Sequence, residues 1–115
     1  MVTVLIRSLT LPIRIGILPR ERLAPQRVMI NAEIEVIEGA EGFVSYVTAV
    51  EHLQGLSASD RHIDLVEELA NELLDLILKD DRVAAATVEV LKPDIFAEAE
   101  AVGVRIRREA DRAAL

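Results

Sequence analysis

The sequence predicts an α+β fold in which two helices cover one face of a four-stranded antiparallel sheet, in the order β-β-α-α-β-β. Three observations predict this fold. Two long segments of alternating apolar and polar residues open the chain, two segments with helical spacing follow, and two further alternating segments close it. Strands at both ends of a sequence, with helices between them, are typical of an antiparallel sheet covered on one side. We expect all 115 residues, 1–115, to form a single domain.

The first two strands are predicted to form a long antiparallel hairpin. Apolar residues alternate over residues 2–6 and again, in the opposite phase, over residues 9–17. Because successive side chains of a strand point to opposite faces, this change of phase predicts a β-bulge at Arg7-Ser8. Pro12 cannot donate a ladder hydrogen bond, so we expect it at an edge or an irregularity. The second strand follows a broad loop and covers residues 28–36, and a turn is predicted after it at residues 38–42.

The middle of the chain is predicted to form the two helices. Residues 46–56 place their valines and a leucine on one side, as a short helix requires. The segment 57–60 interrupts that pattern and offers N-cap side chains to a second helix, roughly residues 61–80. Two further alternating segments, residues 86–90 and 102–106, then complete the sheet.

The composition predicts an oligomer and excludes several classes of site. Hydrophobic residues make up 51% of the chain, which is more than a lone domain of this size easily buries, although an alanine-rich composition is the simpler alternative. The net charge of −7 argues against nucleic acid or an anionic membrane as the main partner. The absence of cysteine excludes disulfides, thiolate metal sites and thiol nucleophiles.

The sequence also predicts a protein of the cytoplasm that works without a metal. The N-terminal residues lack a basic segment and a cleavage site for secretion, and no apolar run approaches the ~20 residues of a membrane span. His52 and His62 have no second ligand at a recognisable metal-binding spacing. We therefore expect a soluble cytoplasmic protein with no metal site and no cofactor.

Glu67 is predicted to lie on the apolar side of the second helix. At roughly 100° per residue, the polar side chains of this segment share one narrow arc, and Glu67 falls outside it, between Leu74 and Leu78. A buried carboxylate is costly unless hydrogen-bond donors meet it. Those donors would come either from a ligand or from the backbone of a neighbouring subunit.

Three other residues are candidates for a reactive site. Lys92 follows two apolar residues at the strand period of two, so it emerges on their face; the alternative is a strand-end lysine that extends into solvent. Glu21 lies in the hairpin loop, where the alternative is a solvated acid. Tyr46 begins the first helix, where it could merely cap or pack. The residues alone leave these alternatives open.

Four segments, in order along nearly the whole chain, carry a family resemblance. They are the hairpin loop GILPRERLAPQRV, Tyr46 at the start of the first helix, LVEELANELL in the second helix and the closing segment KPDIFAEAEAVGVRI. Together they resemble dihydroneopterin aldolase. The resemblance implies the tunnelling fold (T-fold), in which four subunits join their sheets into a barrel and two such rings stack as a homo-octamer. It also implies active sites between adjacent subunits.

The resemblance implies roles for individual residues in binding a pterin. Glu67 matches the pterin anchor, whose carboxylate accepts a ring N–H and the adjacent amino group as a fork-like pair. Backbone groups near Val66 would complete these contacts. Val44 and Tyr46 match residues that reach the ring from the adjacent subunit, and Tyr46 would also help in proton transfer.

The implied reaction is the metal-independent retro-aldol cleavage of 7,8-dihydroneopterin, a step of folate biosynthesis. Its products are 6-hydroxymethyl-7,8-dihydropterin and glycolaldehyde, and recombination of the bound products would epimerise C2′. Lys92 and Glu21 match the pair that handles protons through water, with Glu21 orienting the lysine. Because the C=N bond of the pterin accepts the electrons, neither a Schiff-base lysine nor a zinc ion is required.

The related dihydroneopterin triphosphate 2′-epimerase is an alternative. The segment Gln26–Tyr46 is shorter than is usual in the aldolases, and the segment Lys92–Val102 lacks their common Pro-Gly insertion. A triphosphate would favour basic residues at the mouth of the site. Arg20, Arg22 and Arg27 could supply that charge, although the acidic balance of the chain speaks against it.

A second alternative is a non-catalytic tunnelling-fold oligomer that binds a pterin or purine. Such a protein would need only the anchor, Glu67. The additional presence of Glu21, Tyr46 and Lys92 favours an enzyme.

Overall fold

The computed structural model describes residues 2–40, 44 and 46–111, and it has an α+β fold with five strands and two helices. The strands occur in the order β3-β1-β2-β4-β5 across the sheet, and every neighbouring pair is antiparallel except β1 and β3. The elements are β1 (Thr3–Ile15), a 3₁₀ helix (Pro19–Arg22), β2 (Gln26–Val36), α1 (Val47–Ser57), β3 (His62–Ile63), α2 (Val66–Ile77), β4 (Val83–Lys92) and β5 (Val102–Glu109).

The hairpin of β1 and β2 contains the predicted bulge. The register shifts between Ile6 and Leu9, so the predicted irregularity at Arg7-Ser8 is confirmed. Ser8 adopts a φ of 55°, and its backbone N–H donates to Oδ1 of Asn31 at 2.7 Å, which replaces the ladder bond that the bulge removes. At Pro12, β1 is paired with β2 on one side and with no strand of the described residues on the other, as expected for a residue that cannot donate a ladder hydrogen bond.

One face of the sheet carries the core. The buried residues of β2 and β4 alternate along each strand, with Ile30 and Val88 almost fully enclosed. Helix α2 packs against β4 and β5, whereas α1 packs against β1, and the two helices contact each other. Leu69 and Leu73 of α2 complete the hydrophobic cluster. The opposite face is mostly polar, with Glu33 of β2 and Glu89 of β4 among its residues.

The prediction of four antiparallel strands was wrong in number, and the predicted start of the second helix was also wrong. Residues 62–63 form the short strand β3, which runs parallel to Arg14 and Ile15 of β1. The N–H of Gly16 extends this pairing by donating to the carbonyl oxygen of Ile63 at 2.9 Å. Two residues are too few to show an alternating pattern, so the sequence alone does not distinguish them from the helical segment that follows. Helix α2 therefore begins at Val66 instead of near residue 61.

The segments that directly follow β2 and β4 have no additional regular structure in the described residues. Between β4 and β5 the chain makes turns and no helix. Residues 37–40 follow β2 as a turn, and the rest of the turn predicted at residues 38–42 lies outside the described residues. No helix in the described part of the chain is long and apolar enough to span a bilayer.

Candidate active site

Glu21 is a buried carboxylate at the end of the hairpin loop, and its side chain is only 3% exposed. The 3₁₀ helix Pro19–Arg22 turns it inward, where the backbone N–H of Leu18 donates to Oε1 at 3.2 Å. Nε2 of Gln26 donates to Oε2 at 2.8 Å and also to the carbonyl oxygen of Ile15 at 2.8 Å. The carboxylate is thus fixed by three different segments once Lys92 is included. The solvated alternative for Glu21 was wrong.

Lys92 is the last residue of β4 and the fourth member of this network. Its Nζ donates to Oε2 of Glu21 at 2.7 Å, and its side chain is 15% exposed. The strand period directs it to the same side of β4 as the buried Val88 and Val90, as the sequence predicted. A short ion pair shielded from water is stronger than a surface pair, but it requires additional hydrogen bonds to offset desolvation. Gln26 and the N–H of Leu18 provide them.

The pKa of Glu21 reflects two opposing effects. Burial by itself raises the pKa of this carboxyl, because the charged form loses its water. The hydrogen bonds from Lys92, Gln26 and the N–H of Leu18 stabilise the charged form and outweigh burial, so the pKa ends below its ordinary value of 4.5. Glu21 is therefore an anion at neutral pH, and its carboxylate holds Nζ of Lys92 in place through their hydrogen bond.

Gly16 is a site residue that the sequence reasoning missed. Its φ is +126°, and a Cβ atom at this position would lie 2.2 Å from Cδ of Glu21. The missing side chain therefore makes room for the buried carboxylate. His62 fixes the same glycine, since its Nε2 lies 2.8 Å from the Gly16 carbonyl oxygen, which can only accept. A glycine directly after an alternating strand was the available signal.

The loop that follows Lys92 lies over the hairpin loop and completes the rim of the site. Arg27 donates from Nε and from a terminal nitrogen to the two carboxylate oxygens of Asp94, each at 2.8 Å. Arg20 donates to the carbonyl oxygen of Ile95 at 3.2 Å and lies over the ring of Phe96 at 5.8 Å. Beneath this rim is an open cavity of about 240 Å³, lined by Arg20, Glu21, Ala24, Pro25, Gln26, Asp94 and Ile95.

The predicted burial of Glu67 was wrong for the isolated chain, because its side chain is exposed. A helical wheel removes the axial dimension, so it places Glu67 beside Leu74, which lies two turns further along α2 and is fully buried. Helix α2 begins at Val66, so Glu67 belongs to the first turn, at the end of the layer. Val66 beside it is half-buried.

The topology groups Glu67 with Glu21 and Lys92. Helix α2 and strand β4 are consecutive, antiparallel and joined by a short turn, so the last residue of β4 lies at the same end as the first turn of α2. An ion pair of 3.0 Å between Arg22 and Asp64 also joins the hairpin loop to the segment before α2.

Val44 and Tyr46 lie at the other end of the same layer. Val44 is buried and lines a cavity of about 360 Å³ with Leu76 and Ile77, the C-terminal end of α2. Tyr46 is half exposed and precedes α1, whose far end is held over Pro12 by a hydrogen bond of 2.6 Å from Ser57. Helix α1 spans about 16 Å at 1.5 Å per residue. One chain therefore does not bring these two residues to Glu21 and Lys92.

The described histidines are engaged in hydrogen bonds with protein groups. His52 pairs with Glu72 at 2.7 Å, and Glu72 also receives two hydrogen bonds from Arg61. In the described part of the chain, no group of three or more His, Cys, Asp or Glu residues is arranged to hold a metal ion.

Comparisons with known proteins agree on one family and one fold. The sequence profile of dihydroneopterin aldolase matches residues 4–107. A Vibrio cholerae protein, provisionally described as a dihydroneopterin aldolase, is 25% identical with a TM-score of 0.80, over 95% of this chain and 98% of its own. Among proteins of curated function, no sequence matches significantly.

Two further solved structures carry ligands. Dihydroneopterin aldolase of Escherichia coli, in complex with neopterin, is 24% identical with a TM-score of 0.80, over 94% of this chain and 99% of its own. Dihydroneopterin aldolase of Burkholderia thailandensis, bound to guanine, is 27% identical with a TM-score of 0.75, over 95% of this chain and 91% of its own.

Proposed function

The chain belongs to the dihydroneopterin aldolase family and is a dihydroneopterin aldolase, and we propose that its buried Glu21–Lys92 pair carries the proton transfers of the reaction. The observation that supports this most is the hydrogen bond of 2.7 Å between Nζ of Lys92 and Oε2 of Glu21, at the wall of an open cavity. Positioned acid–base groups of this kind require a fixed geometry, and the hydrogen bonds to Glu21 from Leu18, Gln26 and Lys92 supply it.

The cleavage needs a base, a temporary acceptor of electrons and a returned proton. The 2′-hydroxyl of 7,8-dihydroneopterin loses its proton, through water, to the unprotonated amine of Lys92, which becomes the ammonium that Glu21 holds. The C1′–C2′ bond then breaks, glycolaldehyde leaves, and its bonding electrons enter the C=N bond of the ring, whose nitrogen takes up a proton. Protonation of C1′ and loss of the ring N–H finally give 6-hydroxymethyl-7,8-dihydropterin. Glu21 stays anionic and keeps Lys92 at the same point throughout.

Glu67 is proposed as the anchor for the pterin ring, with backbone groups near Val66 completing the contacts. Neopterin and guanine, the ligands of the two relatives, both present a ring N–H beside an exocyclic amino group, and one carboxylate can accept both hydrogen bonds. The exposure of Glu67 in a single chain fits this role, because the carboxylate is accessible to a ligand. Its desolvation would come from the ring itself and from a second subunit.

We propose that each active site is shared between two subunits of a tunnelling-fold ring, with the octamer as its full assembly. Val44 and Tyr46 lie at the opposite end of the chain from Lys92, so a head-to-tail neighbour would supply them. Exposed apolar side chains at both ends support such contacts, with Ile17 61% exposed near Glu21 and Tyr46 51% exposed at the other end. As a folate-pathway enzyme it would act in the cytoplasm.

The charge distribution favours cleavage of dihydroneopterin over epimerisation of its triphosphate. Two of the three arginines that could bind a triphosphate already pair with aspartates, Arg22 with Asp64 and Arg27 with Asp94. The third, Arg20, is held against Phe96 and the carbonyl oxygen of Ile95. A non-catalytic binder is disfavoured because the buried Glu21–Lys92 pair has a desolvation cost that ring binding alone does not require.

The proposal is tested by incubating the purified protein with 7,8-dihydroneopterin and measuring glycolaldehyde. We expect product from the wild type and, for Lys92→Ala, a loss of kcat of roughly 10²- to 10⁴-fold, the usual contribution of one acid–base group. Glu67→Ala should chiefly raise KM. Tight pterin binding by the wild type without any glycolaldehyde would instead support the non-catalytic binder.

A further inference from the structure

The rim of the cavity carries a charge pair for which the aldolase reaction has no direct use. Arg27 directs two N–H groups at both oxygens of Asp94, which is the bidentate geometry that an arginine also uses for phosphate. The pairing lowers the pKa of Asp94 and raises the pKa of Arg27, in each case chiefly through their hydrogen bond. Both groups therefore remain charged, and Asp94 occupies the phosphate-binding edge of the arginine.

The position of this pair relates it to the terminal group of the substrate. Asp94 follows Lys92 by two residues and lines the same cavity as Glu21 and Gln26, so the Asp94 side of the pair adjoins the Glu21–Lys92 network. If Lys92 acts at C2′, as the proposed function states, C3′ and anything attached to it must lie one bond further out. The adjoining cavity wall includes Asp94 and Arg20. A phosphate on C3′ would therefore meet the Asp94 carboxylate.

We propose that Asp94 is a specificity-determining residue that excludes substrates phosphorylated on the side chain. It does so in two ways: its charge repels the phosphate, and its oxygens occupy the N–H groups of Arg27 that would otherwise bind it. Specificity by an unfavourable contact with the wrong ligand is a common strategy. This inference rests on the proposed function, because it uses the placement of the side chain that Lys92 and Glu21 imply.

The experiment compares kcat/KM for 7,8-dihydroneopterin and for its triphosphate in wild type and Asp94→Asn. We expect the ratio of triphosphate to dihydroneopterin to rise roughly fivefold in Asp94→Asn, the upper range for one exposed charge pair. Asp94→Asn combined with Arg27→Ala should lower the ratio again, toward the wild-type value, because the arginine that Asp94→Asn frees is then removed and only the relief of charge repulsion remains. An unchanged ratio in Asp94→Asn, or a rise that is undiminished without Arg27, overturns the proposal.

Glu35→Gln is the matched control. Glu35 makes a similar two-point pair with Arg107, at 3.2 and 3.3 Å. It pairs with Ala85, seven residues before Lys92 on β4, or about 23 Å away at 3.3 Å per residue. This variant has the same change of net charge as Asp94→Asn, and its substrate ratio should equal that of the wild type. A rise in this variant too would show that net charge alone is responsible, and would overturn the role of Asp94.

A binding measurement separates this inference from the proposed function. Neopterin triphosphate, the oxidised compound, is titrated calorimetrically without divalent metal against wild type, Asp94→Asn and Glu35→Gln. Tighter binding by Asp94→Asn alone supports the inference even if no variant releases glycolaldehyde, in which case only the proposed function fails. Equal binding by all three overturns the inference even if wild type cleaves dihydroneopterin and Lys92→Ala does not.

Discussion

Replacement of Gly16 by alanine should perturb the active site through a steric clash between the new Cβ and the carboxylate of Glu21. The new Cβ would lie 2.2 Å from Cδ of Glu21 and 2.3 and 2.5 Å from its two carboxylate oxygens. Each distance is about 1 Å or more short of ordinary van der Waals contact, which lies near ~3.5 Å. The carboxylate cannot turn aside freely, because Lys92, Gln26 and the N–H of Leu18 all bind it. It must move by about 1 Å, and Lys92 must follow it or lose its partner.

Gly16→Ala should lower both the stability of the fold and kcat, for two different reasons. Alanine at a φ of +126° is strained, which should lower the free energy of unfolding by about 1–3 kcal/mol. A displacement of about 1 Å in the acid–base pair should lower kcat by roughly 10²-fold. Pterin affinity should change little, because the proposed anchor Glu67 lies on α2 and not on this loop. The assays are glycolaldehyde release, neopterin titration and urea denaturation.

Two other glycines separate the effect on stability from the effect on kcat. Gly39 has a φ of +80°, but no atom lies within 4 Å of the point that a Cβ would occupy, so Gly39→Ala introduces backbone strain alone and should keep its kcat. Gly55 lies within α1 with equally open space, and Gly55→Ala should raise stability by about 0.5–1 kcal/mol. If Gly16→Ala retains wild-type kcat while it loses stability, Glu21 is not held where the reaction needs it, and the role given to the pair is wrong.

The same contacts lead to three further predictions. Since the pKa of Glu21 is lowered on folding, its carboxylate stabilises the fold above its ordinary pKa of 4.5, and this contribution is lost as the pH falls through the folded value. Glu21→Gln should therefore be less stable than wild type in urea at pH 7, and the difference in the free energy of unfolding should shrink in acid. A difference that stays constant with pH would contradict this. Ser8→Gly should gain about 0.5–1 kcal/mol in thermal or urea unfolding, because glycine adopts the φ of 55° without strain, whereas a loss would mean that the serine side chain has a role of its own. If sites are shared between subunits, unfolding Lys92→Ala and Tyr46→Ala together and refolding the mixture should restore about a quarter of the wild-type activity. The reason is that one-quarter of randomly paired sites receive both wild-type halves. No recovery in mixed oligomers would place both residues in one subunit.

The sequence by itself determined the features that depend on neighbouring residues. The bulge at Arg7-Ser8 could be predicted because side chains alternate in every strand, so a change of phase must be accommodated locally. The inward direction of Lys92 follows from the same period. The pairing of Lys92 with Glu21, 71 residues apart, was implied only by family resemblance, because no local pattern relates them.

Only the tertiary structure decided the features that depend on contacts between distant segments. Strand β3 exists because His62 and Ile63 reach Arg14 and Ile15 of β1, and two residues carry no pattern of their own. Its presence delays α2 to Val66 and leaves Glu67 exposed at the helix end, which a projection down the helix axis cannot show. The space that Gly16 leaves for the carboxylate likewise arises only when the hairpin loop folds back. Periodicity is a property of adjacent residues, whereas depth and proximity are set by how the elements pack.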